Sequence, residues 1–303
     1  MSSTRVISRE AVDWSADRAA IDRALAELCD RFASRLAEPI ASAVRYALLG
    51  SGKRLRGLLV LAAYRAANGE GDATGLAAAV EVVHSYSLVH DDLPCMDDDD
   101  VRRGRPTTHR AFGVRTATVA GVSMVPLAAA AALDACLGLG LSRETGGRVV
   151  GELMRASGAG GMVGGQLLDL QGEGRPLDIA ELEHIHRGKT GSLIRAAAVV
   201  GGIAARAPER QVAALATFGA TIGLAFQIAD DVLDVTATTD RLGKTAGRDR
   251  DLQKSTYPAL LGVEGAAERA RSLVAEGRGA LEAAGLHSPE LEALATFAVE
   301  REW

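Results

Sequence analysis

Apolar residues recur along this chain with a helical rather than a strand period, and the breaks between periodic stretches are short. Amphipathic patterning predicts helices over residues 12–37 and 39–49. Gly50-Ser51-Gly52 then breaks the chain, and residues 58–67 resume the pattern before an Asn68-Gly69-Glu70-Gly71-Asp72 loop. A helix over 76–92 is stopped by Pro94, and a loop rich in acids and bases runs from Asp97 to His109. Further helices are predicted over 116–133, 144–170, 179–186, 192–205 and 211–229. Gly188 and Gly191 bracket Lys189-Thr190 between two of them. Strictly alternating stretches of useful length are absent. The reading is therefore all-α, a single domain over residues 1–303 with no repeat and no dividing linker.

Two of these stretches, 116–133 and 211–229, are uncharged and long enough to span a bilayer. Their content argues for buried bundle helices instead. The first is Ala-rich and holds Ser123 and Pro126; the second carries Gln211, Thr217, Thr221 and Gln227 and runs straight into Asp230. No transmembrane segment is expected. Composition agrees with a helical core, at 48% hydrophobic residues and only 4% aromatic. A net charge of −5 with both signs interspersed excludes the basic stripe a nucleic-acid partner would need. Cys29, Cys95 and Cys136 show no metal spacing and read as reduced thiols. The first seventeen residues lack an apolar leader core, so a cytoplasmic protein is expected.

The chemistry concentrates in two acid clusters, Asp91-Asp92-Leu93-Pro94-Cys95-Met96-Asp97 and Asp230-Asp231-Val232-Leu233-Asp234, each preceded by an apolar stretch. Carboxylates gathered at the ends of apolar helices need a shared cation. Mg²⁺, which binds through a few carboxylates and substrate phosphates, suits them, and a diphosphate substrate follows. Asp230 and Asp234 are four residues apart and share a helix face with Gln227 one turn earlier. His84 and Asp91 likewise share a face, whereas Asp97 must reach back from the turn that Pro94 imposes. Asp98, Asp99 and Asp100 read as a solvated loop or cap run. Cations form the complementary half: Lys53, Arg54 and Arg56 follow one glycine break, and Arg102, Arg103 and Arg105 follow the first acid cluster. Lys189, Lys244 and Lys254 each lie beside Gly or Thr. Such blocks suit two anionic substrates, one bound through metal and one directly.

These features, in this order, resemble the trans-isoprenyl diphosphate synthases. The matching segments are Gly52-Lys53-Arg54-Leu55-Arg56, the first acid cluster running into Arg102-Arg103-Gly104-Arg105-Pro106-Thr107-Thr108-His109, Gly165-Gln166-Leu167-Leu168-Asp169, Lys189-Thr190, Phe226-Gln227 with the second acid cluster, Gly243-Lys244, and Lys254-Ser255-Thr256-Tyr257-Pro258. The resemblance implies a helical bundle around a central cavity, a homodimer, and head-to-tail condensation of isopentenyl diphosphate with an allylic diphosphate. Asp91, Asp92, Asp97, Asp230 and Asp234 would hold three Mg²⁺ ions against the allylic diphosphate, with Lys189, Lys244 and Arg102 in direct contact. Lys53, Arg56, His84 and Arg103 would bind isopentenyl diphosphate, and Thr190 and Gln227 would offer oxygens to the carbocation. Tyr86, with Ser87 one turn before Asp91, would floor the product cavity at fifteen carbons, as in bacterial farnesyl diphosphate synthases; a twenty-carbon product is the alternative. A class I terpene cyclase is disfavoured because the second cluster lacks its Asn, Ser or Thr and Glu pattern. A silent regulatory subunit would be expected to lose aspartates that are all present, and a simple acidic metal buffer would not need the paired cations. Three departures stand out: Ser51 and Gly57 replace the usual Gly and Pro, loosening a helix start, and Val122 replaces a usual Asp expected to be buried and able to affect the site wall.

Overall fold

A computed structural model describes residues 12–236 and 255–300; Lys244, Lys254 and the tail from Arg301 to Trp303 lie outside them. The elements are α1 (Ser15–Phe32), α2 (Ile40–Leu48), α3 (Leu55–Ala66), α4 (Thr74–Asp91), β1 (Val101–Arg102), β2 (Arg105–Pro106), α5 (Thr108–Phe112), α6 (Val114–Gly138), α7 (Arg143–Ser157), α8 (Met162–Gly172), α9 (Ile179–His186), α10 (Ser192–Ala204), α11 (Glu209–Thr236), α12 (Tyr257–Ala283) and α13 (Pro289–Glu300). Local chemistry sets several starts. Ser142 accepts from the Thr145 amide to open α7, a reciprocal Asp178/Glu181 capping box opens α9, and Thr256 with Pro258 opens α12.

The predicted helix over 144–170 is two helices. Gly158, Gly160 and Gly161 interrupt the helix between them; a Cβ on Gly161 would lie 2.2 Å from the Ala156 carbonyl oxygen, so only glycine allows the approach. The predicted break at Lys189-Thr190 is instead a π-helical turn, Arg187–Gly191, that joins α9 to α10 without leaving the helical path. π-Turns inside helices recur at functional sites.

One hydrophobic cluster runs from Ile21 to Ala298. Within it α4 packs on α3 and α6, α10 packs on α3, α7 and α11, and α11 packs along α12. The helix expected to be apolar and buried on all sides, α6, is buried on one side only. Ala117, Ala120, Gly121, Met124 and Ala128 face inward, while Val114, Val119, Val122, Leu133 and Leu137 are exposed. Among the described residues α6 and α11 are long and apolar enough to cross a membrane, but 67% of the α11 window is buried in the fold, against 44% for α6. The packing leaves a cleft of about 750 Å³ at the C-terminal ends of α4 and α11, closed by the starts of α3, α8, the π-turn and the loop after α4.

Candidate active site

The cleft collects both acid clusters. Asp91 closes α4, and the amide of Asp97 returns to the Asp91 carbonyl at 2.8 Å, so the Pro94 turn folds Asp97 back as its spacing predicted. Asp230 and Asp234 come from the end of α11, and Asp91, Asp97, Asp99, Asp230, Asp231 and Asp234 all line the same space. Asp91 lies at a helix C-terminal end, where the backbone dipole already disfavours negative charge. Asp92 turns away from the cleft: it is buried, and its Oδ1 accepts from Arg102 Nε at 2.5 Å. Asp231 accepts from the Tyr257 amide at 3.0 Å and lies 3.4 Å from His186 Nε2, tying the start of α12 to α9.

The cations reach the cleft by separate routes. The β1–β2 hairpin turns through Arg103 and Gly104, both at positive φ (53° and 76°), as a two-residue turn of this hand requires. It sets Arg102 against Asp92 and, at 3.0 Å, Asp99, while Arg103 Nη1 donates to the Ser51 carbonyl at 2.9 Å. The two basic blocks of the sequence thus meet in space. Arg56 sits in the first turn of α3 and lines the cleft with Lys53, His84 and Arg103. Lys53 also lies 5.5 Å from the Phe297 ring of α13, which brings the last described helix to this corner. Buried Arg54, read from the sequence as one of the basic block but given no substrate contact, donates to the Leu48 and Gly50 carbonyls and to Asp22, pinning the loop that presents Lys53.

Gly57, where the family usually has proline, is tied to a neighbouring helix. Its amide donates to Glu81 Oε1 at 2.8 Å, a bond that proline could not make, and buried Glu81 lies on the helix that carries His84 and Asp91. Val122 is 58% exposed on the outer side of α6 and is not among the cleft residues, so its side chain is no part of the site wall.

Lys189 enters from the π-turn and donates to Asp169 Oδ2 at 2.7 Å; Thr190, Phe226 and Gln227 line the cleft beside it. Asp169 is a site residue the sequence reading passed over, although it ends the Gly165–Asp169 segment. Gly165 is what admits Lys189, since a Cβ there would lie 2.0 Å from the Lys189 amide nitrogen. Ser87 lines the cleft. Tyr86 lies behind that lining, 6% exposed, with its hydroxyl donating to the Ser157 carbonyl at 3.3 Å and its ring edge-on to His90.

Electrostatics sorts these groups. Burial pushes Asp91 up to about 6, with repulsion from Asp97 and Asp92 adding to it and Lys189 and Arg102 opposing. Burial disfavours the charge on Lys189, but Asp169, Asp97 and Asp91 outweigh it and raise its pKa. Burial, then Arg56 and Arg103, hold His84 well below its usual 6.5, so it is a neutral imidazole near neutrality. An all-oxygen donor set in which burial holds the Asp91 carboxyl back from ionising fits a hard divalent cation.

A family model for polyprenyl synthetase matches residues 37–282. Farnesyl diphosphate synthase of Escherichia coli (strain K12) is 45% identical over 270 residues, covering 87% of this chain and 89% of that protein. Geranylgeranyl pyrophosphate synthase 12, chloroplastic, of Arabidopsis thaliana is 46% identical over 238 residues, covering 77% and 66% respectively. The crystal structure of geranyltransferase from Helicobacter pylori, complexed with magnesium and isoprenyl diphosphate, superposes with a TM-score of 0.75 at 29% identity, covering 95% of this chain and 98% of that one. Matches over most of the length, in sequence and in fold, meet at the cleft already described, and the chain belongs to the polyprenyl synthetase family of prenyltransferases.

Proposed function

We propose that this protein condenses an allylic diphosphate with isopentenyl diphosphate head to tail and releases farnesyl diphosphate. The observation that carries the reading is the single cleft in which two carboxylate walls face Lys189 and Arg102 while Lys53, Arg56, His84 and Arg103 gather at its α3 side. Asp91, Asp97, Asp230 and Asp234 would hold Mg²⁺, three ions in the full complex. Bound there, the metal would neutralise the departing diphosphate and favour ionisation of the allylic carbon–oxygen bond. The chain's own residues do the rest. Asp92 aims the Arg102 guanidinium, and Asp169 holds Lys189; these cations meet the developing diphosphate charge in preset positions. Lys244, outside the described residues, belongs to the same set. Thr190 and Gln227 offer oxygens to the cation, Arg56 and neutral His84 seat the second diphosphate, and the released diphosphate accepts the final proton. Tyr86, beneath Ser87, supports a fifteen-carbon limit. The exposed apolar side of α6 supports a homodimer, and the free thiols Cys29, Cys95 and Cys136 support residence in the cytoplasm.

The test is incubation of the purified protein with isopentenyl diphosphate, Mg²⁺ and, in turn, dimethylallyl, geranyl or farnesyl diphosphate, with products dephosphorylated and sized. Farnesol as the end product is expected. Geranylgeraniol would keep the enzyme and overturn the Tyr86 limit, and no product from any starter would point to a silent subunit.

A further inference from the structure

The loop after the first acid cluster presents its acids to two sides. Asp97 and Asp99 line the cleft, whereas Asp98 and Asp100 are exposed and are not among its lining residues. One carboxylate oxygen from each of Asp98 and Asp100 and one ring nitrogen of His109 lie within 4.8 Å of one another. Two exposed acids would be ordinary loop chemistry; the histidine changes that. His109 is 4% exposed, and its Nε2 is buried with no hydrogen-bond partner. Its other nitrogen is engaged: Nδ1 lies 3.1 Å from Thr107 Oγ1, and that hydroxyl donates to the Asp99 carbonyl at 2.7 Å. A hydroxyl has one proton to give. The hydrogen between Nδ1 and Oγ1 must therefore sit on Nδ1, which leaves Nε2 as the ring nitrogen without a partner. That is the arrangement in which imidazoles ligate metals, one nitrogen donating its hydrogen to a fixed partner and the other free to coordinate.

We propose that Asp98, Asp100 and His109 form a second cation site, taking a divalent transition metal of the Zn²⁺ class and separate from the cleft. Two carboxylates and an imidazole balance the charge and supply the mixed oxygen and nitrogen donors that such an ion accepts, with a fourth position for water. Mg²⁺ favours all-oxygen surroundings and would not select this set. Arg110 holds Asp100 through Oδ1, so the ion would take the other oxygen. Occupancy would pin the 98–100 loop to the start of α5 and thereby fix the backbone from which Asp97 and Asp99 reach the cleft.

The test is calorimetric titration of Zn²⁺ into the metal-free full-length protein, with Mg²⁺ in large excess and no diphosphate present. One tight site per chain is expected. Its affinity should fall at least about tenfold in Asp98→Asn/Asp100→Asn, a pair of exposed positions whose change spares the core, and in His109→Gln, and should survive in Asp91→Asn/Asp230→Asn. No binding by the unaltered protein would overturn the site, assigning a buried water to Nε2. Undiminished binding in the Asp98/Asp100 variant, or loss only in the Asp91/Asp230 variant, would overturn it equally.

Discussion

Asp91 carries the sharpest conflict in the cleft, an acid near its neighbouring acids at a helix end and mostly withdrawn from water. Replacing it or Asp230 with Asn should lower kcat by about 10²-fold or more while the far-ultraviolet spectrum and melting curve stay close to the unaltered protein, because the apo fold gains nothing from a strained charge. The same conflict sets a pH dependence. With its pKa raised from 3.8 to about 6, Asp91 binds a proton more tightly in the folded than in the unfolded chain. Its stabilising contribution is therefore full below about pH 4 and is lost as pH rises through about 6. A divalent cation must displace that proton. The gain in melting temperature from Mg²⁺ and inorganic diphosphate should thus be larger at pH 7.5 than at pH 5.5; an equal gain would remove Asp91 from the ligand set. Tyr86 separates into ring and hydroxyl. Tyr86→Phe removes only the 3.3 Å bond to Ser157 and should leave product length unchanged. Tyr86→Ala should extend the product by at least one five-carbon unit, read by chromatography of the alcohols, and destabilise the chain by about 3–5 kcal/mol as buried aromatic truncations do.

Elements are held to the cleft by a few backbone approaches that tolerate no extra atom. Gly165→Ala places a Cβ against the Lys189 amide, backbone meeting backbone, so α8 and the π-turn must part. The expected result is a loss of about 1–3 kcal/mol in chemical denaturation and a kcat that falls more than KM rises, since Lys189 moves away from Asp169. Gly57 makes the opposite point about the usual family residue. Gly57→Pro would restore the common sequence yet remove the amide that Glu81 accepts, and it should destabilise rather than stabilise by about 1–3 kcal/mol. Nothing in residues 51–57 announces that partner, because Glu81 lies on another helix. The division of 144–170 into α7 and α8 was more accessible: its glycines were visible, but the apolar period on both sides outweighed them.

At the scale of the whole molecule, the exposed side of α6 sets an apolar composition against packing on one side only. Val114, Val119, Val122, Leu133 and Leu137 keep apolar surface in water, which a second copy would cover. For the proposed homodimer, Val119→Arg/Val122→Arg should convert dimer to monomer in sedimentation velocity without unfolding it, and an unaltered dimer mass would place the interface elsewhere. The all-α class, the order of helices, the two acid clusters and the pairing of Asp230 with Asp234 were legible in the sequence, because helical period and the four-residue repeat act over a single turn of chain. The return of Asp97 beneath Asp91 was legible too, because Pro94 leaves the backbone little choice. What only the tertiary structure decided is which partner each charge takes: Asp92 with Arg102, Asp169 with Lys189, Arg103 with the Ser51 carbonyl, Glu81 with the Gly57 amide. Those pairs join residues up to 52 positions apart. Periodicity carries no information at that range, and only the packing of α3, α4, α8 and the π-turn around one cleft brings the groups within hydrogen-bonding distance.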